Sequence, residues 1–153
     1  MRERIEKLDR SIAGFLHKYG HLFLRVSLGV VFIWFGILKP FGLSPATELV
    51  GRTVYWAVPP AVFVPILGWW EVLIGLCLLV RPLVRVALGL LALQMCGTLL
   101  PLVLLPDVCF QPGRVPWGPT LEGQYIIKNL VLIGAAMVIG STVRQRSDAG
   151  RML

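Results

Sequence analysis

Charged side chains are scarce in this chain. They make up 15% of its 153 residues, where a soluble domain carries about 25%. With 56% hydrophobic residues and a mean hydropathy of +0.77, that shortage argues against a soluble globular protein. Cysteine is limited to Cys77, Cys96 and Cys109, which form neither a CxxC pair nor a zinc spacing. Cys77 and Cys96 fall in apolar runs and read as small packing residues, whereas Cys109 falls in a loop with no obvious partner there. The only histidines, His17 and His21, lie one turn apart on the same helix and read as interfacial polarity, so no metal site is expected. A glycine-rich phosphate loop and a GxSxG motif are both missing, which sets aside soluble-type nucleotide catalysis. Tandem repeats and low-complexity linkers are also missing, and the chain reads as one domain.

What the chain has instead is long apolar runs. Four of them are long enough to cross about 30 Å of hydrocarbon, for which about 20 residues are needed. They run from about His21 to Phe41, Val62 to Val80, Leu83 to Leu105 and Tyr125 to Val143. The short Arg81–Pro82 break separates the second from the third, and Pro101 and Pro106 are placed to bend or end the third. The expected fold is an all-α membrane protein, a four-transmembrane-helix bundle over 21–143. No small-residue cleavage site follows the first run, so a cleaved signal peptide is not expected.

Two further helices are predicted. Residues 1–20 contain a segment, 2–18, in which Ile5, Leu8, Ile12 and Phe15 recur at three- and four-residue spacing among basic residues. That pattern fits an amphipathic helix lying on a membrane surface. Ser44 is a good N-cap and Pro45 suits the first helical position, so Ser44 to about Ala57 reads as a short interfacial helix in the first outer loop. Tyr55 and Trp56 would sit there at headgroup level. Residues 144–153 read as a tail.

The net charge of +7 is dispersed between apolar runs, which reports orientation in a bilayer rather than a nucleic-acid partner. Arg2, Arg4, Lys7, Arg10, Lys18, Arg81, Arg85, Arg144, Arg146 and Arg151 fall on one side; only Arg52 and Arg114 fall in the opposite loops. The positive-inside rule therefore predicts cytoplasmic N and C termini.

The costly residue is Glu71, a carboxylate within the apolar run from Pro65 to Val80. With this orientation Lys39, Glu71 and Lys128 share the outer half of the bilayer on three different helices. An ion-paired cluster opening outward is the expectation. Arg25, Gly29, Phe32, Gly36 and Lys39 form one stripe by four- and three-residue steps, and Gly68, Glu71 and Gly75 form another. Small residues on such stripes let membrane helices approach closely. Gln124 and Tyr125 precede Lys128 by four and three residues, and Gln94 lies deeper on the third span, where it could complete a polar lining. Trp69 and Trp70 can stack on a ring or pack against neighbouring helices. Arg25 reads as an anchor near the cytoplasmic boundary. A protonated Glu71, a snorkelling Lys39 and a purely structural Glu71–Lys128 pair stay open as readings of the same residues.

Three blocks, Phe35-Gly36-Ile37-Leu38-Lys39, Gly68-Trp69-Trp70-Glu71 with Gly75, and Glu122-Gly123-Gln124-Tyr125-Ile126-Ile127-Lys128-Asn129-Leu130-Val131, resemble the DoxX/DoxD-like superfamily of small membrane proteins. The chain looks most like its YkgB/RclC-type branch of bacterial inner-membrane proteins, over roughly residues 20 to 142. The third block is the most specific. The resemblance implies a four-span bundle in the bacterial inner membrane and a loose association with redox biology and oxidative stress. It places emphasis on Arg25, Lys39, Glu71 and Lys128, and gives Cys109 no role. It defines no reaction for this branch.

Three functions follow as expectations. One is binding of a quinone, or of a small anionic or oxidised substrate, in an outward-facing polar pocket, with electrons coming from a membrane redox partner or from the substrate. Another is a small-solute transporter or permeation protein, completed by a homo-oligomer. The last is a non-enzymatic scaffold or assembly subunit whose ion cluster holds the bundle together.

Overall fold

The computed structural model describes residues 2–149, leaving aside the side chains at positions 3 and 143–149. Among the described residues the protein is all-helical. Helix α1 spans Arg2–Leu38, α2 Thr47–Val54, α3 Pro60–Leu79, α4 Val84–Leu99, α5 Pro101–Leu104, α6 Pro106–Cys109, α7 Leu121–Ile127 and α8 Asn129–Ala149, with a 3₁₀ turn at Arg81–Leu83. Four stretches are long and apolar enough to cross a membrane: Arg4–Leu38, Pro60–Leu79, Arg81–Leu104 and Leu121–Thr142. The protein is a multi-pass membrane protein.

Prolines set several of these boundaries. Pro59 precedes α3 in an extended conformation and Pro60 begins it, where a missing N–H costs nothing. Pro101 and Pro106 begin α5 and α6, so the third span continues past Leu99 only as a short broken piece, as expected. The fourth span is interrupted at Lys128, which separates α7 from α8.

Two expectations about the first half are corrected. The segment 2–18 and the first span form one continuous helix rather than a surface helix followed by a span. No proline separates them, and the single Gly20 costs a helix only about 1 kcal/mol. The helix predicted over Ser44 to Ala57 is shorter. Regular helix begins at Thr47; Ser44 lies in a preceding turn, its Oγ accepting from the Ala46 N–H at 3.4 Å. Of the tail predicted over 144–153, the backbone is helical through Ala149, and positions 150–153 lie outside the described residues.

Close contact between α1 and α3 organises the bundle. Gly36 lies against Gly68 and Gly29 against Gly75, an antiparallel register in which both pairs are seven residues apart. A Cβ on Gly68 would sit 2.6 Å from the Gly36 carbonyl oxygen, and one on Gly75 would sit 2.5 Å from that of Gly29. Backbone meets backbone at both crossings, so no larger residue fits. Helix α4 packs on α3, α8 packs on α4, and α8 returns to α1, closing a four-membered ring. Leu28, Phe32, Ile74, Leu78, Ala87, Leu91 and Ile139 fill the half of the bundle remote from α2.

At the α2 end, the segment after α6 folds back on itself. Phe110 bridges Pro119, and Thr120 caps α7 by accepting from the Gly123 N–H at 3.2 Å. The Thr120 hydroxyl donates to the Val108 carbonyl at 2.6 Å, tying α6 to α7. Gly123 abuts the Cys109 carbonyl so closely that a side chain there would overlap it. The Cys109 thiol is buried and donates to the Pro101 carbonyl; burial, with Glu122 as a second cause, raises its pKa.

Gly68→Val is expected to cost roughly 1–3 kcal/mol by forcing α1 and α3 apart, while Gly89→Ala, which meets open space, is tolerated; thermal unfolding in detergent compares the two. Cys109 is expected to resist a water-soluble maleimide in the folded protein near neutral pH and to react after denaturation, because its buried site disfavours the reactive thiolate. Rapid labelling of folded protein at Cys109 would contradict that burial.

Candidate functional site

The glycine crossing brings Lys39 and Glu71 together. Lys39 lies three residues beyond Gly36, and Glu71 three beyond Gly68. In a helix the Cα–Cβ bond tilts toward the N-terminus. Helices α1 and α3 are antiparallel, so Lys39, at the end of α1, tends to point back into the bundle while Glu71 tends to point toward the α2 end. The two side chains converge. The Lys39 ammonium donates to Glu71 Oε2 in a short, buried ion pair, with 7% and 11% of the two side chains exposed.

The other carboxylate oxygen is satisfied from α4. Gln94 Nε2 donates to Glu71 Oε1 at 2.7 Å. The opposite amide orientation would set two acceptors against each other, which fixes which end of Gln94 faces Glu71. Glu71 thus joins α1, α3 and α4 through one hydrogen bond per oxygen. Thr98, one turn along α4, donates to the Gln94 carbonyl at 3.0 Å.

This polar cluster borders a cavity of about 410 Å³, within the 300–1,000 Å³ typical of small-molecule sites. Its walls come from α2 (Leu49, Val50, Thr53), the first half of α3 (Phe63, Leu67, Trp70), the last half of α4 (Leu93, Gly97) and the α7–α8 junction (Tyr125, Ile126, Asn129). The walls are mainly apolar. All of these elements lie in the α2 half of the bundle, where the third and fourth spans are interrupted and leave room.

The residues predicted for the site divide into two groups. Lys39, Glu71, Gln94, Trp70 and Tyr125 line the cavity. Lys128 does not join Glu71: it is exposed, with its ammonium 5.2 Å from the Tyr125 ring centroid, and Lys39 takes the ion pair instead. Gln124 is exposed beside it, and Trp69 is 58% exposed on the outside of α3. Arg25 is half-buried on α1, roughly 20 Å from Lys39 by helical rise.

The reason lies in the face that α7 buries. Gly123 and Ile126 are buried and Asn129 is half-buried, a three-residue stripe turned inward against the bundle. Gln124, Tyr125 and Lys128 do share one side, as their spacing requires, but it is the adjoining side; only the Tyr125 ring reaches the cavity edge. Sequence reasoning overlooked Asn129, whose Nδ2 donates to the carbonyls of Tyr125 (3.1 Å) and Ile126 (3.0 Å). The small and apolar run Gly123, Ile126, Ile133 was the available signal for that face. The α2 wall residues carried no comparable signal, because a short helix between spans can fold over the bundle or away from it.

Glu71→Gln is expected to lower stability by roughly 3 kcal/mol, since it leaves a buried ammonium without its counter-charge. Replacing the pair together, as Lys39→Met with Glu71→Leu, is expected to recover most of that loss. Thermal unfolding of the single and double variants in detergent measures both.

Comparison of the chain with family models, curated proteins and solved structures finds no match.

Proposed function

We propose that this membrane protein binds a lipophilic molecule with a small polar head, of the quinone class, in the cavity beside Lys39, Glu71 and Gln94. The observation that carries the reading is a cavity with mainly apolar walls bordered by the connected Lys39–Glu71–Gln94 cluster. A quinone needs ring contacts along most of its surface and donors at its oxygens. Phe63, Trp70 and Tyr125 supply aromatic surface, and the Lys39 ammonium has three N–H donors, of which Glu71 accepts one.

The ion pair narrows the earlier alternatives. An incoming anion would have to compete with Glu71 for Lys39, whereas a neutral head accepts a hydrogen bond without breaking the pair. A solute path through one chain is poorly supported, because Leu28, Ile74, Leu78 and Leu91 pack the remote half. The scaffold reading shares the ion pair but gives the cavity no use.

The resemblance to the DoxX/DoxD-like superfamily supports a redox- or stress-associated setting in the bacterial inner membrane. In that setting the basic residues favour cytoplasmic termini. Helix α2 would then lie at the outer interface, with the exposed Tyr55 and Trp56 among headgroups.

The test is titration of the protein in nanodiscs with a benzoquinone bearing a short alkyl tail, read as tryptophan quenching. Saturable quenching is expected, reduced strongly by Trp70→Phe and abolished by Gly97→Phe. Gly97 lines the cavity, and a Cβ there meets no atom within 4 Å, so the new ring fills the space without displacing backbone. Non-saturable quenching that Gly97→Phe leaves unchanged would reject the site. Equal binding of an alkylbenzene with the same tail would reject recognition of the polar head.

A further inference from the structure

We infer that the N-terminal part of α1 pairs in parallel with the same segment of a second copy of this chain, as a two-stranded coiled coil outside the bilayer. The starting point is length. Thirty-seven residues of continuous helix measure roughly 55 Å. About 30 Å of hydrocarbon accommodates that length only at a tilt beyond the usual range of up to about 40°. Helix α3 spans the same layer in 20 residues, and its register with α1 sets Arg25 opposite Leu79, where α3 ends. Residues 2–18 therefore continue beyond the bundle as helix.

That extension carries an uncovered seam. Ile5, Leu8, Ile12, Phe15, Tyr19 and Leu22 recur by alternating steps of three and four, and all are exposed, Ile5, Leu8 and Phe15 by at least 60%. The same repeat runs on through Gly29 and Gly36, where α3 fills it. Below Arg25 the seam keeps its heptad spacing but has lost that partner, because the chain turns at Arg81–Leu83. A helix continuous with a span is poorly placed to lay this stripe flat on the membrane surface.

Charge selects the occupant. With Ile5 and Ile12 at heptad position a and Leu8 and Phe15 at d, Arg4 occupies g and Asp9 the following e. In a parallel two-stranded pairing, g of one helix faces the next e of its partner, so Arg4 meets Asp9 of the other copy twice by symmetry. Two copies in one membrane with the same topology present these helices in parallel. The side away from the seam carries Glu6, Lys7, Arg10 and His17, with Glu6 and Arg10 paired along the helix at 3.9 Å. In parallel pairings isoleucine at a with leucine at d favours two strands, and Ile5 with Leu8 supplies that combination.

The experiment is cysteine scanning from Arg4 to His17 in full-length protein lacking Cys77, Cys96 and Cys109, with oxidative cross-linking in membranes. Dimer is expected at Ile5, Leu8, Ile12 and Phe15 and largely lost at Lys7, Arg10 and Gly14. Arg4→Glu is expected to weaken association roughly tenfold by turning two attractions into repulsions, and adding Asp9→Arg is expected to restore it. Cross-linking without periodicity, or none at any position, would overturn the inference. So would failure of Asp9→Arg to rescue Arg4→Glu, or nitroxide depth measurements that place Ile5 to Phe15 among lipid headgroups. Unchanged unfolding of the variants in detergent shows that the bundle itself is intact.

Discussion

The backbone contact between α1 and α3 is the constraint from which the rest of this structure follows. Lipid offers no hydrophobic force to press two apolar helices together, so association rests on dispersion and on interhelical hydrogen bonds. Gly29, Gly36, Gly68 and Gly75 remove the side chains that would hold the axes apart. The resulting approach sets the register, and the register places Lys39 against Glu71. Had α1 and α3 packed through leucines, the carboxylate would lie farther from its cation, and the cost of burying it would rise.

The ion pair in turn shapes what surrounds it. Glu71 accepts from α1 through Lys39 and from α4 through Gln94, so three spans are tied at one depth. Nearer α2, the third span breaks at Pro101 and the fourth at Lys128. Straight helices would close on one another there as they do around Ile74 and Leu78. The breaks prevent this, and α2 with the α7–α8 junction walls the space that is left. The cavity thus arises where the glycine-driven packing ends and helix interruption begins.

Much of this was legible in the chain because membranes narrow the choices. Hydrocarbon thickness fixes span length, and the second, third and fourth apolar runs agree with the observed spans to within a few residues at their ends, whereas the first begins at Arg4, well before His21. The stripes through Gly36 and Lys39 and through Gly68 and Glu71 followed from helical spacing alone, and Gln94 was identified by its unusual depth. Lys128 lies apart from Glu71, against expectation, for a definable reason: spacing tells which residues share a side of a helix, not which side faces inward. On α7 that side was settled by Gly123 meeting the Cys109 carbonyl.

By itself, then, the sequence determined an all-helical membrane protein, its number of apolar spans, the glycine stripes and the presence of one carboxylate too costly to leave unpartnered. These are properties of single helices, set by composition and by a period of 3.6 residues. Tertiary structure alone decided that Lys39 rather than Lys128 partners Glu71, that α2 walls a cavity and that the seam of α1 outruns α3. Those outcomes depend on the rotation and relative length of neighbouring helices, which no helix encodes separately.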